Sequence, residues 1–572
     1  MTTRWLWCLP LWLATLPAWG IGVDLEGIGG ELADNARAFL TMTSLPAEAA
    51  PARVRRAHRI APGEIRKSLQ PFGYYRPAIQ GELDGGPGDW RIRYRIDPGP
   101  ATTITDLTVA VTGAGADDPR FRRAIERGGL VEGQRLRHAR YEDTKTRLQQ
   151  AAYAGGYLDA EFAEHEIRVD PEAASAEIRL ILDSGPRYRF GEVTVRQDIL
   201  RDSLMQRYVG IRPGQPFDPQ KLLDAQYALN DSGYFARVEV DVDKAGAGED
   251  HRVPIVIVAE PRPKRRYTIG AGFGTDTGPR GRAGVEWRRL NRRGHRAEID
   301  LRASAVQTRL SSQYLIPVSN TSDDRYAIKG IVNQDEAGDG ESELLVLGGS
   351  RDKPLGGWQA SAYVNFERET TRFADDVERT FLLTPGISAS RTRADDPLVP
   401  RSGWSLFADL HGSVEGPVSD VTFLQAQLRG RGVVPLLPRV RLLLRSEIGA
   451  NLADRLTELP ASQRFFAGGD RSVRGYDYES LGERNDEDEV IGGRYLFTAS
   501  AEIDWRVHGN WGAAAFYDMG NAADDPDMDL KRGVGVGVRW YSPIGPVRLD
   551  LAHPLDGDDG GVRIHFTLGP DL

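Results

Sequence analysis

Arg474 stands in the run Ser472-Val473-Arg474-Gly475-Tyr476, shortly after Arg464-Phe465-Phe466-Ala467-Gly468-Gly469, and this gathering of guanidinium, aromatic rings and glycine is the strongest candidate for chemistry in the chain. A guanidinium presents donors in a rigid planar fork and suits a carboxylate out of water. The surrounding run is too apolar to leave in solvent, so it belongs packed against something. Other groupings carry less. His553 and His565 lie near Asp550 and Asp556 and could be drawn as an acid–base set, but alternating strand and loop residues produce such groupings freely. The acidic run Asp486-Glu487-Asp488-Glu489 lacks the glycine-punctuated spacing of a calcium loop and reads as a solvated segment. With no G-x-S-x-G, H-E-x-x-H or G-x-x-x-x-G-K-[ST] pattern, no enzyme, cofactor or resident metal is expected.

Strands must position these groups. From Tyr267 onward helix signals vanish and residues alternate: Tyr267, Ile269, Ala271 and Phe273 with Thr268, Gly270, Gly272 and Gly274; Val534, Val536, Val538 and Trp540 with Gly533, Gly535, Gly537 and Arg539; Val562, Ile564, Phe566 and Leu568 with Arg563, His565 and Thr567. One face is apolar and the other is glycine or charge, as in strands with lipid outside and a polar lumen inside. A soluble sandwich would turn its apolar faces inward, and Trp505 and Trp540 at the strand ends fit an interfacial girdle instead. At roughly 18 to 20 residues per strand and loop, residues 267–572 suit about 16 antiparallel strands. Counting back from the C-terminus places strands near 561–568, 545–552, 531–541, 511–519 and 491–507. An even barrel has both ends on the periplasmic side, which puts residues 460–490, the arginine–glycine run included, in a long outer loop whose nearest packing site is the lumen.

Upstream the chain repeats about every 80 residues. Helical segments end at Phe72-Gly73-Tyr74, Gly155-Gly156-Tyr157 and Ser232-Gly233-Tyr234, and alternating strands follow, with Ile92, Tyr94 and Ile96, then Ile178, Leu180 and Leu182, then Val238, Val240 and Val242. Leu222, Ala225 and Leu229 share a helical face, and glycine is a natural stop after it. Each unit is read as α+β: a strand, two helices and two strands. The resulting division is 21–100, 101–186, 187–264 and a barrel from 265 to 572, behind an export signal over 1–20. That signal is Arg4, an apolar run shorter than a bilayer-spanning helix, and Ala18-Trp19-Gly20. A retained anchor is the alternative. The only cysteine among 572 residues, Cys8, lies inside it, so disulfides are not part of the design. A net charge of -9 argues against nucleic acid. The mean hydropathy of -0.42 excludes a bundle of membrane helices but not a barrel.

Val473-Arg474-Gly475-Tyr476 resembles the Val-Arg-Gly-Tyr/Phe signature of the BamA/TamA superfamily, and Phe516-Tyr517-Asp518-Met519-Gly520 resembles its Phe-x-Asp-x-Gly strand motif. The resemblance implies that the loop is a lid tucked into the lumen, with Arg474 docking on a wall that includes Phe516, Asp518 and Gly520. Three repeats, which look like POTRA domains, favour the TamA branch over the BamA branch with its usual five. The resemblance then implies a lateral seam between the first strand (Tyr267, Ile269, Gly270, Gly272, Phe273, Gly274) and the last (Arg563, Ile564, Phe566, Leu568). It also implies unfolded outer-membrane proteins such as autotransporters as substrates, outer-membrane lipid as surroundings, and the inner-membrane-anchored TamB as partner. Two-partner secretion transporters share the lid motif but generally carry two POTRA units and a plug helix, so they come second. A passive porin would leave the repeats and lid unexplained.

Overall fold

In the computed structural model the described residues are 21–373, 376–543, 545–556 and 561–568. The expected export signal, with Cys8 inside it, lies outside them, as do residues 569–572. The first repeat runs through the strand Val23–Glu26, helices Glu31–Phe39 and Pro51–Leu69, and strands Ala78–Asp84 and Arg91–Asp97. The second has Thr103–Thr112, helices Pro119–Gly128 and His138–Gly155, then Glu161–Asp170 and Ser175–Asp183. The third has Arg189–Arg196, helices Asp202–Val209 and Pro219–Asp231, then Phe235–Val242 and Arg252–Pro261. In each three-stranded sheet the last strand lies in the middle. In the first two repeats it is parallel to the opening strand and antiparallel to the other. Alternation sets the buried face: Ile92, Tyr94 and Ile96 point into the helices while their arginine neighbours are exposed.

The recurring glycine does more than end a helix. Gly73, Gly156 and Gly233 all have positive φ, between 76° and 86°. A Cβ on Gly73 would sit 2.4 Å from the Leu136 carbonyl oxygen, and one on Gly156 2.7 Å from that of Phe217. Each of these two stops is thus also the point where one repeat abuts the next, so only glycine fits. The described chain forms two compact units. One holds residues to Thr194 with Ile211–Leu223 and Asp241–Val256, and the other Val195–Gly210, Asp224–Val240 and everything from Ile257 on, so the third repeat contributes to both.

Within the second unit, the third repeat is bonded to turns of the barrel. The Arg201 N–H donates to the Arg292 carbonyl (2.9 Å), the Tyr234 hydroxyl to the Gly294 carbonyl (2.5 Å), and Arg207 to the Val318 carbonyl (2.5 Å). The Arg296 guanidinium lies 4.5 Å from the Tyr234 ring centre.

The barrel has sixteen antiparallel strands in chain order, from Arg265–Gly274 to Arg563–Leu568, each paired with the next. No described helix is long and apolar enough to cross a membrane. Val536, Val538, Leu549 and Leu551 are exposed outward while Arg539, Asp550, Asp518 and Glu502 are buried inside. Trp511 and Trp540 stack at 6.2 Å beside one turn, and Trp358 and Trp404 lie 6.3 Å apart, supplying interfacial aromatics. The strand expected at 491–507 is Tyr495–His508, because Val490–Gly492 belongs instead to a small hairpin with Glu483–Arg484. The loop ahead of it is not structureless: short 3-10 turns at Leu456–Glu458 and Ala461–Gln463 precede that hairpin.

Candidate functional site: the lid and the barrel seam

The segment 453–494 folds inward and crosses the lumen. At one wall the Ser462 N–H donates to Glu369 (2.9 Å), and the Gln463 carbonyl and side chain bond Asn451, Glu367 and His411. Phe465, Ala467, Val473 and Leu481 pack with Leu496 and Ala522 of the barrel as an apolar plug. Burying this run removes the surface that would otherwise be costly in water.

At the opposite wall Arg474 is 4% exposed and its fork is saturated. Nε and Nη2 donate to the two Asp518 carboxylate oxygens at 2.7 and 3.0 Å, and Nη1 donates to Glu502 (2.8 Å) and Asp550 (3.0 Å). The Arg474 backbone N–H also reaches Asp518 (3.1 Å). The guanidinium carbon lies 3.3 Å from the Phe516 ring centre, a stacked cation–π contact. Arg539 answers from the wall, bonding Glu502 at 2.7 Å and Asp550 at 2.5 Å. Two arginines interleave with three carboxylates, and Arg445 stands 3.9 Å from Asp518, so the buried charges are paired rather than stranded. Burial opposes the Arg474 charge, but the three carboxylates outweigh it and hold the guanidinium above its ordinary pKa.

Glycines make room for this contact. A Cβ on Gly533 would fall 2.0 Å from the Arg474 carbonyl oxygen, and Gly475, at φ 102°, backs against Pro554. Gly520 serves a different contact: its Cβ position lies 2.5 Å from the Phe497 carbonyl oxygen on the adjacent strand, so it packs the wall rather than the lid. Tyr476 donates its hydroxyl to the Asp556 carbonyl (2.9 Å), and Val473 is fully buried.

The first and last strands share no ladder among the described residues; the sixteen-stranded order simply ends with them. Among the described residues they meet at the outer end of the first strand. The Phe273 and Phe566 rings are 6.4 Å apart, and the Phe566 N–H donates to the Thr275 hydroxyl (3.0 Å). Tyr267, Ile269, Phe273 and Ile564 point outward and are exposed; Ile269 keeps 89% of its surface. Gly272 is half-buried and Gly274 buried, while Gly270 is exposed and Leu568 half-buried.

The lid touches both lips. Asp470 of the lid bonds the Nδ1 of His565 on the last strand (2.5 Å) and accepts from Thr275 beyond the first (2.9 Å); its own N–H donates to Asp276 (2.5 Å). The Gly475 N–H donates to His565 Nε2 (3.0 Å), and Arg563 pairs with Asp477. Spacing could not reveal this node, because it joins three segments far apart in the chain. The acid–base grouping drawn from the sequence is not assembled: His565 serves Asp470, Asp550 serves the arginines, Asp556 pairs with Arg532, and His553 is exposed.

Burial and the neighbouring Asp470 charge push the Asp276 pKa up to about 6, with His565 opposing. A raised carboxyl pKa means the closed node gains stability as pH falls through about 6 and loses it as pH rises through that value. Hydrogen exchange of residues 465–481, corrected for intrinsic rate, should therefore be slower at pH 5 than at pH 7. The gain is bounded by about 1.4 kcal/mol per pH unit and reduced by partial solvent exposure. Asp276→Asn should flatten the difference; an unchanged pH dependence would reject this assignment.

Residues 356–571 match the Omp85 superfamily domain, residues 22–98 the first POTRA domain of TamA, and residues 188–262 the POTRA repeat described as a surface antigen variable number repeat. The chain carries an Omp85 superfamily domain and POTRA domains. It is 24% identical over 399 residues to the outer membrane protein assembly factor BamA of Nitratidesulfovibrio vulgaris, covering 64% of this chain and 49% of that one. With BamA of Neisseria meningitidis the identity is 24% over 485 residues, 72% of this chain and 60% of the relative. The chain thus spans about half the length of the curated relatives it matches. In fold it is similar to BamA from Haemophilus ducreyi lacking POTRA domains 1–3, with a TM-score of 0.69 at 18% identity, covering 82% of this chain and 99% of that one. It is an outer-membrane barrel with its POTRA domains in the periplasm.

Proposed function

We propose that this protein inserts or exports β-rich outer-membrane proteins such as autotransporters, taking them from the POTRA domains to the barrel seam without a catalytic side chain. The observation that carries the reading is the missing ladder, among the described residues, between Arg265–Gly274 and Arg563–Leu568, while every other neighbouring pair of barrel strands shares one. Two strand edges that do not bond each other offer N–H and C=O groups to an incoming strand. The relatives named as assembly factors support it, and the TamA-type first POTRA domain supports a TamB-like inner-membrane-anchored partner.

Photoreactive residues at Ile269, Ile564 and on the third POTRA helix Asp202–Val209, irradiated in living cells, test it. Capture of nascent barrel or autotransporter chains at the two seam positions, and of a TamB-like protein from the POTRA domains, is expected. Capture of one large secreted adhesin alone would move the protein to two-partner secretion.

A further inference from the structure

The barrel wall parts a second time, between the eighth strand, Asp376–Ala394, and the ninth, Gly403–Ser413. Their ladder runs from Ala394 opposite Gly403 up to Gly386 opposite His411 and stops. Above it the eighth strand stays paired to the seventh as far as Asp376, and the ninth stays paired to the tenth through Ser413. The next position on the eighth strand is Pro385, which has no N–H to offer. The strands diverge there and leave an open crevice of about 720 Å³.

Its rim faces outward. Leu383 and Ile387 on one side, and Leu410, Val414 and Val418 on the other, are all exposed, and Val414 keeps 76% of its surface. The rim is continuous with the lipid-facing wall. At a rise of about 3.3 Å per residue on strands tilted roughly 40°, Pro385 stands about 20 to 25 Å above the periplasmic end of its strand, level with the outer leaflet.

The edge inside this crevice is not free to take a polypeptide strand. The Phe381 N–H donates to Asp420 (2.7 Å), the Asp420 N–H returns to the Phe381 carbonyl (2.8 Å), and the Leu383 N–H donates to the Ser419 hydroxyl (3.2 Å). With its donors occupied and its rim apolar, the crevice suits a ligand that needs no hydrogen bonds along its length. We infer that it seats an acyl chain of an outer-leaflet lipid, wedged between the eighth and ninth strands on the far side of the barrel from the seam.

The test uses the full protein in phosphatidylethanolamine and phosphatidylglycerol vesicles containing a trace of phosphatidylcholine with a diazirine at the end of one acyl chain. After irradiation, labelled residues are mapped by mass spectrometry. Labelling at 383–387 and 414–418 should exceed that at the ordinary lipid-facing Val536 and Leu551 several-fold, and Val418→Trp, which fills the crevice, should abolish the excess while leaving Val536 labelling unchanged. Equal labelling at all these positions would overturn the inference. So would an excess that survives in a Val418→Trp protein whose heat-shifted gel mobility shows a folded barrel.

Discussion

Arg474→Ala should release the centre of the lid from the barrel wall, with protease cleavage or hydrogen exchange appearing between residues 470 and 478 while the barrel stays folded. The substitution removes both side-chain hydrogen bonds from Arg474 to Asp518, leaving it Arg445 at 3.9 Å, and leaves Glu502 and Asp550 to share Arg539. Removing one partner of a buried ion pair costs about 3–5 kcal/mol, because the remaining charge keeps its desolvation penalty. That loss exceeds what any single apolar contact of the lid returns, about 1.5–3 kcal/mol for a fully buried side chain. Phe465 and Leu481 lie outside the ion cluster, so the lid should loosen around the arginine before it leaves the lumen. Arg474→Lys should fall between: an ammonium keeps the charge but neither the two-pronged grip on Asp518 nor the flat stack on Phe516. An Arg474→Ala lid as protected as the parent would show that the apolar plug alone holds it.

The second large effect is on function. Phe273→Cys with Phe566→Cys places two thiols where the rings now meet at 6.4 Å, and Cys8 is the chain's only native cysteine. Bridging them with a short bismaleimide should reduce assembly of a reporter autotransporter by about tenfold or more, the equivalent of roughly 1.4 kcal/mol or more on the limiting step. Each single-cysteine protein treated with the same reagent should keep its activity. A bridged protein that still assembles the reporter at the parental rate would eliminate the seam as the route.

Much of this molecule was legible in advance because period-two alternation reports a physical fact, the inside and outside of a wall. Val534 to Trp540 gave both faces of their strand, and the glycine after each repeat helix marked the helix stop, but not the close approach to the next repeat that Gly73 and Gly156 also serve. Alternation does not say which inward groups converge. Glu502, Asp518, Arg539 and Asp550 sit on four neighbouring strands, and their meeting depends on register, which one sequence does not display. A signal was present all the same: charged residues on strands otherwise rich in alanine, glycine and valine. The lid's internal hairpin was missed because Glu483–Arg484 and Val490–Gly492 are too short for any periodicity. The absent ladder at the seam follows from backbone pairing, and glycine content alone only hints at it.

The two lips of the seam are tethered at opposite faces of the membrane. Three residues separate the end of the third POTRA sheet at Pro261 from the start of the first strand at Arg265, and that repeat also grips the neighbouring turns through Arg201, Tyr234 and Arg207. The last strand is held from the other side, where His565 and Arg563 bond the lid. A gap pinned in this way does not part in parallel like a sliding door. The first lip also answers to the lid through Thr275 and Asp276, so a shift of the lid should move both lips, whereas a shift of the third POTRA repeat should move only the first.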